Sequence, residues 1–132
     1  MKRILILSVV LAVIAAGCGS SNSGGLYTKA KAEACLAPQD GVKLDHSLDF
    51  VASTATGGAF RAKYTDGTGE IVTVAFGASL DDADNIAQAY RRFHAKNVGI
   101  DDILRQDRNA VELFKIHPTD AQVAVIGSCL TD

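Results

Sequence analysis

The chain has 132 residues, with 13 Lys and Arg against 15 Asp and Glu, so its formal charge of −2 makes nucleic acid an unfavourable partner. This length predicts one domain, and a hydrophobic content of 48% is enough for a modest core. There is no Trp and the single Met is Met1, so the core must consist of Val, Ile, Leu, Ala and Phe.

The amino-terminal stretch has the order of a secretory signal. Lys2 and Arg3 precede an apolar run over 4–16, which at about 13 residues is too short for a transmembrane helix of roughly 20. Small residues at 15–17 lead directly into Cys18, and this ending resembles the lipobox of bacterial lipoproteins. The resemblance covers residues 1 to about 20 and implies cleavage before Cys18 and acylation of Cys18. The alternative is an ordinary signal peptide in which this cysteine is incidental.

The lipobox resemblance implies a signal peptide (1–17) and a lipid-anchored flexible tether (18–25), and the length and residue patterns of the rest of the chain predict a single small α+β domain (26–132). Residues 19–25 are all Gly, Ser or Asn, which have no apolar side chain to bury. Acyl chains would hold the protein on the cell membrane, facing outside the cytoplasm, at the cell surface or in the periplasm. Removal of 17 residues leaves 115, and the loss of two cations changes the formal charge to −4.

The other two cysteines, Cys35 and Cys129, lie near the two ends of the predicted domain. An even number of cysteines in an exported domain favours a disulfide. The alternatives are a metal site or a nucleophilic thiol, but the chain has no Cys-x-x-Cys, and no His or acid stands at ligand spacing from either cysteine. We therefore expect a Cys35–Cys129 disulfide and no metal site.

The first half of the domain predicts a helix followed by strands. The pattern predicts a short helix over 27–36 capped by Thr28, and a loop or short irregular strand over 39–49. It predicts that the first strand begins within 50–55 and is broken by the glycines at 57–58.

An Asp-Gly turn at 66–67 then predicts a hairpin between strands over 59–64 and 70–76. Arg61 and Lys63 alternate onto the more polar face of the first of these strands. Their role is either to keep this face of the sheet soluble or to bind an anion.

The second half predicts two more helices and one more strand. Ser79 caps an amphipathic helix that ends at 97–99, and a helical turn is predicted over 101–105. A third strand is predicted over 110–116. Thr119 and Gln122 form a capping box at the start of a final helix that carries Cys129 on its inward stripe. The predicted order is therefore α-β-β-α-β-α, an α+β fold with a three-stranded, mainly antiparallel sheet, three helices, and a disulfide between the terminal helices.

The sequence carries no recognisable catalytic motif. There is no Gly-x-Ser-x-Gly, and His46, His94 and His117 have no metal-ligand spacing. No catalytic residue or cofactor is therefore expected. The first hypothesis is a lipid-anchored accessory domain that binds a ligand or an envelope protein without catalysis.

Two alternatives stay open. One is a small envelope hydrolase with a spatially assembled carboxylate and histidine site, which would need a deep cleft that gathers His46, Asp45 or Asp49 with Asp107 or Arg108. The other is a structural spacer in a larger membrane complex, which would expose a large apolar patch. A shallow surface with scattered titratable groups would favour the accessory domain.

Overall fold

The computed structural model describes residues 25–94 and 99–132. The predicted signal peptide (1–17) and most of the predicted tether lie outside the described residues. Within the described ranges the elements are, in chain order, α1 (Lys29–Leu36), β1 (Val42–Asp45), α2 (Phe50–Ser53), β2 (Ala59–Tyr64), β3 (Ile71–Phe76), α3 (Leu80–Phe93), α4 (Ile100–Ile103), β4 (Leu104–Asp107), β5 (Ala110–Phe114) and α5 (Asp120–Gly127).

All five strands of the described chain form one antiparallel sheet in the order β1-β2-β3-β5-β4. The first three strands follow one another as a meander. The chain then passes through α3 and α4 to the far edge of the sheet, where β4 begins. A hairpin returns the chain and inserts β5 between β3 and β4. The central strand is therefore β3, which is buried from Val72 to Phe76.

The predicted three-stranded sheet with three helices is wrong, because the sequence pattern misses both edge strands. Val42 pairs with Tyr64 at the outer side of β2. For this segment, 39–49, the pattern predicts either a loop or a short irregular strand. Leu104 pairs with Leu113, so the helical turn expected over 101–105 ends at Ile103 and β4 begins at once. Each edge strand has only four residues, too few for the alternation of apolar and polar residues to be distinctive.

Residues 50–53 form a helix and not the predicted start of a strand. The side chain of Asp49 accepts a hydrogen bond of 2.8 Å from the Ala52 backbone amide, which caps α2. Val51 and Ala52 are buried, whereas Phe50 is 70% exposed. The cap and this burial pattern decide the conformation more strongly than the high strand propensity of Phe and Val.

The other described elements agree with the sequence pattern to within a few residues, while residues 97 and 98 of the predicted end of the long helix lie outside the described residues. Thr28, Ser79 and Thr119 each cap the helix that follows, with the side-chain oxygen accepting a backbone amide three residues on. The capping box between Thr119 and Gln122 is complete. These signals lie within one turn of the helix they start, and therefore do not depend on the rest of the fold.

Helices cover both faces of the sheet. One face carries Phe60, Val74 and Phe114 and packs against α1 and α5. The other face carries Ala75 and Val111 and packs against α2 and α3. The fold is thus a three-layer α/β/α arrangement, with a hydrophobic core on each side of the sheet.

The predicted disulfide is present. Cys35 in α1 bonds to Cys129, which lies just beyond α5, with a Cα–Cα distance of 5.5 Å. Gln39 donates a hydrogen bond of 2.9 Å from Nε2 to the Sγ of Cys129. The bond joins the two helices that cover one face of the sheet and closes a loop of 94 residues.

Candidate functional site

The side chains considered for catalysis do not meet in one cleft. His46 Nδ1 lies 3.6 Å from Glu33 Oε1, beside α1. Asp45 instead lies 3.8 Å from the guanidinium of Arg61, on the opposite side of the sheet edge from α1. Asp49 is close to Arg61, since both line the same surface cleft. The histidine is therefore not positioned to act with either aspartate.

The remaining two candidates lie at the other end of the molecule. Asp107 accepts a hydrogen bond of 3.0 Å from the Tyr27 hydroxyl. Arg108 binds the carboxylate of Asp132 and donates a hydrogen bond of 2.8 Å to the Gly25 carbonyl. These contacts join the two ends of the domain to the β4–β5 turn. They give Asp107 and Arg108 a structural role.

The Arg61 cleft, as we call it, is a shallow depression on the sheet face that carries α2 and α3. Its volume is about 170 Å³, and it is lined by Asp49, Arg61, Ile71, Thr73, Leu113, Phe114 and Lys115. Two other surface clefts have similar volumes, about 180 and 190 Å³. Pockets for small molecules usually enclose roughly 300–1,000 Å³. The Arg61 cleft is thus large enough for part of a ligand only.

Arg61 is held in a defined position in this cleft. Its Nη1 donates hydrogen bonds of 2.9 Å to the Ser47 carbonyl and 3.3 Å to the Ser47 hydroxyl. Asp45 completes the group, and the hydroxyl and amide of Ser47, with the Arg61 charge, hold the pKa of its carboxyl below the usual range. The guanidinium therefore forms a fixed wall of the cleft, with part of its charge neutralised.

Asp49 also lines the Arg61 cleft, and a side chain of α3 holds its carboxylate in place. The Tyr90 hydroxyl donates to both carboxylate oxygens of Asp49, at 3.3 and 3.2 Å. Tyr90 is fully buried, and burial together with the Asp49 charge raises its pKa. The hydroxyl therefore stays protonated and serves as a donor.

Next to Asp49 lies an exposed aromatic pair, Phe50 and Phe93. Their ring centroids are 5.7 Å apart and the rings meet edge to face at 71°. Phe50 is 70% exposed and Phe93 is 65% exposed, whereas the other three phenylalanines of the chain are buried. The sequence pattern does not reveal this pair, because it predicts Phe50 in a strand, and the three-residue spacing from Tyr90 places Phe93 on the apolar stripe of the amphipathic helix. The Asp49 cap was the available signal for Phe50.

Three lysines, which we call the lysine cluster, lie in a row across the sheet at the Arg61 cleft. Lys43 and Lys63 are directly opposite each other in the β1–β2 ladder, and Lys63 is opposite the cleft residue Ile71. Lys115 lines the cleft itself. All three are exposed, and none forms an ion pair with another residue of the described ranges.

A buried acid sets the position of Lys115. Glu70 is fully buried, and its Oε1 accepts backbone hydrogen bonds from Lys115 at 2.8 Å and Ile116 at 3.2 Å. It also accepts one of 3.0 Å from the amide of Ile71. These bonds tie the end of β5 to the start of β3 and fix this edge of the cleft.

The aromatic pair and the Arg61 cleft lie at the end of the sheet opposite the point where the chain enters the domain. At the entry, Asn109 accepts from the Tyr27 amide and donates to the Gly77 carbonyl, just after β3. The cleft residue Ile71 is at the other end of β3. A strand of this length spans about 17–20 Å, so the two features are well separated.

The chain matches no protein-family model, no curated protein and no solved structure. Across residues 25–94 and 99–132, no three His, Cys, Asp or Glu side chains are grouped so that they could hold a metal ion. In the same ranges no helix combines the length and the apolar character needed to cross a membrane. The chemistry of the surface is therefore the guide to function.

Proposed function

We propose that this chain is a lipid-anchored accessory domain of the bacterial cell envelope, which binds a protein partner and does not catalyse a reaction. The observation that carries the proposal is the exposed pair formed by Phe50 and Phe93. The anchor would be the acyl chains on Cys18 that the lipobox resemblance implies, and Cys18 lies outside the described residues.

Exposure of an aromatic pair to water is unfavourable in free energy, whereas its burial in a protein–protein interface is favourable. Phe side chains bury a large apolar area, and aromatic residues are enriched in the cores of protein–protein interfaces. The edge-to-face contact of Phe50 and Phe93 holds both rings in place without covering them. A partner would gain the burial of both rings at a small loss of side-chain entropy.

The shallow surface supports binding of a protein more than catalysis on a small molecule. The clefts are below the size of most small-molecule pockets. His46 lies apart from Asp45 and Asp49, and Asp107 is at the other end of the sheet. Among the described residues these groups are not gathered in one cleft, which supports the accessory domain over a hydrolase.

The position of the aromatic pair supports the orientation expected for an anchored domain. A tether that joins Cys18 to Gly25 would connect the membrane to the end of the sheet near Asn109. The aromatic pair is at the opposite end, so the tether leaves it accessible to partners in the envelope.

The test is crosslinking in living cells that express the full chain at native level, followed by mass spectrometry of captured proteins. We expect one reproducible envelope protein, which is lost in the Phe50→Ala/Phe93→Ala variant. Because both rings are exposed, this variant should still fold. The matched control is Leu80→Ala, which removes a 54% exposed apolar side chain from the other end of α3.

A Cys18→Ala chain tests the anchor in the same experiment, and its capture of the partner should fall because the domain is no longer held at the membrane. The proposal is overturned if no protein is captured, or if the double Phe variant captures the same proteins as the wild type.

A further inference from the structure

We infer that the partner presents an extended acidic segment, whose carboxylates bind the lysine cluster while an apolar side chain enters the Arg61 cleft. This inference rests on the proposed function, since it names the chemistry of the partner at the same surface. It depends on three features: uncompensated positive charge, an apolar cleft floor, and the continuity of both with the aromatic pair.

The positive charge of the lysine cluster is unusual for this chain. The whole sequence is acidic, with 15 acids against 13 bases. Lys43 and Lys63 are nevertheless directly opposite each other, an arrangement that lowers the stability of a sheet. The next pair on the same face of the ladder, Asp45 and Arg61, has opposite charges and avoids this repulsion. An acidic residue in place of either lysine would keep this surface equally soluble.

The cleft adds an apolar floor beside these cations. Ile71 and Leu113, both half-buried, lie between the fixed Arg61 and Lys115. In an extended peptide, successive side chains point to opposite sides. A segment in which acidic and apolar residues alternate can therefore lie along the cleft with one row of side chains towards the apolar floor and the row of carboxylates towards the lysine cluster.

The aromatic pair extends the same surface. Phe50 directly follows Asp49, which forms one wall of the cleft. An apolar side chain that lies beyond the cleft would reach Phe50 and Phe93. The single acid of the lining, Asp49, is occupied by the Tyr90 hydroxyl and the amide of Ala52, which reduces its repulsion of an acidic segment.

An anionic membrane surface is the other partner with suitable charge, but the geometry favours a peptide. The surface is concave, and a carboxylate forms one wall of it. It also lies at the far end of the sheet from Gly25, where the predicted tether enters. A flat lipid surface would contact the rim of the cleft and leave its floor empty.

The test uses the full chain in detergent and a labelled synthetic peptide in which Glu and Leu alternate, with binding measured by fluorescence anisotropy. Control peptides carry Gln or Lys in place of Glu. We expect the Glu peptide to bind most tightly and to weaken as salt increases, because the cations are exposed. Equal binding of the Gln peptide, or tighter binding of the Lys peptide, overturns the inference.

The decisive variant is Lys43→Glu, with Lys31→Glu on α1 as a control that makes the same change of charge elsewhere. Lys43→Glu should weaken binding of the Glu peptide by about tenfold. Its thermal midpoint should be equal to or above that of the wild type, because it converts a like-charge pair into an opposite-charge pair. Lys31→Glu should leave binding unchanged. Equal affinity of the two variants contradicts the inference.

The lipid alternative is tested with soluble dihexanoyl phosphatidylglycerol. Binding of this lipid that Lys43→Glu weakens, without binding of the Glu peptide, would overturn the inference in favour of a membrane surface. Failure of the peptide assay leaves the proposed function standing if the double Phe variant still loses its partner in cells. Loss of that cellular effect contradicts the proposed function itself.

Discussion

Glu112 on β5 faces Arg105 directly across the ladder to β4, yet one of its carboxylate oxygens is buried without a hydrogen-bond partner among residues 25–94 and 99–132. The side chain of Glu112 is only 4% exposed. Burial raises its pKa to about 7; the charge of Arg105 opposes this shift and that of Asp107 adds to it. The carboxyl group is thus a source of instability at neutral pH.

The pH dependence of stability follows from this shift. An unfolded Glu titrates near pH 4.5, so the folded state binds the proton more tightly than the unfolded state does. The contribution of protonated Glu112 to stability is complete below that pH and is lost as the pH rises towards 7. We expect Glu112→Gln to increase the free energy of unfolding at about pH 8 by up to about 3 kcal/mol, and to change it little at about pH 4.

Urea unfolding at the two pH values measures this difference. Arg105→Gln is the companion variant: it removes the charge that lowers the pKa of Glu112, and so should shift the loss of stability to higher pH. A gain from Glu112→Gln that is the same at both pH values would show that folding does not raise the pKa of this carboxyl group.

The disulfide is expected to make a large contribution to stability. Its loop of 94 residues predicts a loss of about 4–5 kcal/mol when Cys35 and Cys129 are both replaced by Ala, a large part of the stability of a typical small domain. The double variant is preferred, because a single substitution would leave one unpaired thiol in the domain. Urea unfolding with and without reductant provides the measurement. Reductant should destabilise the wild type and leave the variant unchanged; equal stability of both proteins without reductant contradicts the prediction.

Asp49 has two structural roles that substitutions can separate. It caps α2 through the Ala52 amide and accepts the hydroxyl of buried Tyr90. Tyr90→Phe removes only the second interaction and should cost about 0.5–1.5 kcal/mol. Asp49→Ala removes the cap and leaves a buried hydroxyl unpaired, so it should cost about 2–4 kcal/mol. Thermal unfolding of both variants and of Asp49→Asn, which keeps one acceptor oxygen for the Ala52 amide, provides the comparison. Equal losses for Asp49→Ala and Tyr90→Phe would mean that the cap contributes nothing.

The lipid anchor predicts covalent labelling of one residue. In cells given an alkyne-tagged fatty acid, the wild-type chain should take up the label, and Cys18→Ala should not, because no acceptor sulfur follows the signal. The Cys35→Ala/Cys129→Ala variant is the matched control and should stay labelled. Mass spectrometry of the amino-terminal peptide gives the cleavage site. An unlabelled wild-type chain, or label retained by Cys18→Ala, contradicts the lipobox interpretation.

Much of the local structure could be predicted from the sequence. The caps at Thr28, Ser79 and Thr119 start the helices as expected, and the Asp66-Gly67 turn joins two strands as expected. These features depend on residues within one turn of each other. The disulfide was also predictable, because export and an even pair of cysteines restrict the choice of partner.

The sequence alone determined the caps, the central hairpin, the disulfide pair and the prediction of a lipid anchor. Each of these depends either on residues close together in the chain or on the number of cysteines. Tertiary structure decided the two edge strands, because four residues become a strand only when a neighbour supplies the hydrogen bonds. It also decided the surface: the contact of Phe50 with Phe93, and the alignment of Lys43 with Lys63, depend on residues that the sheet and helices bring together across the chain. Whether a side chain is covered or left open is set by what packs above it, and no local pattern encodes that.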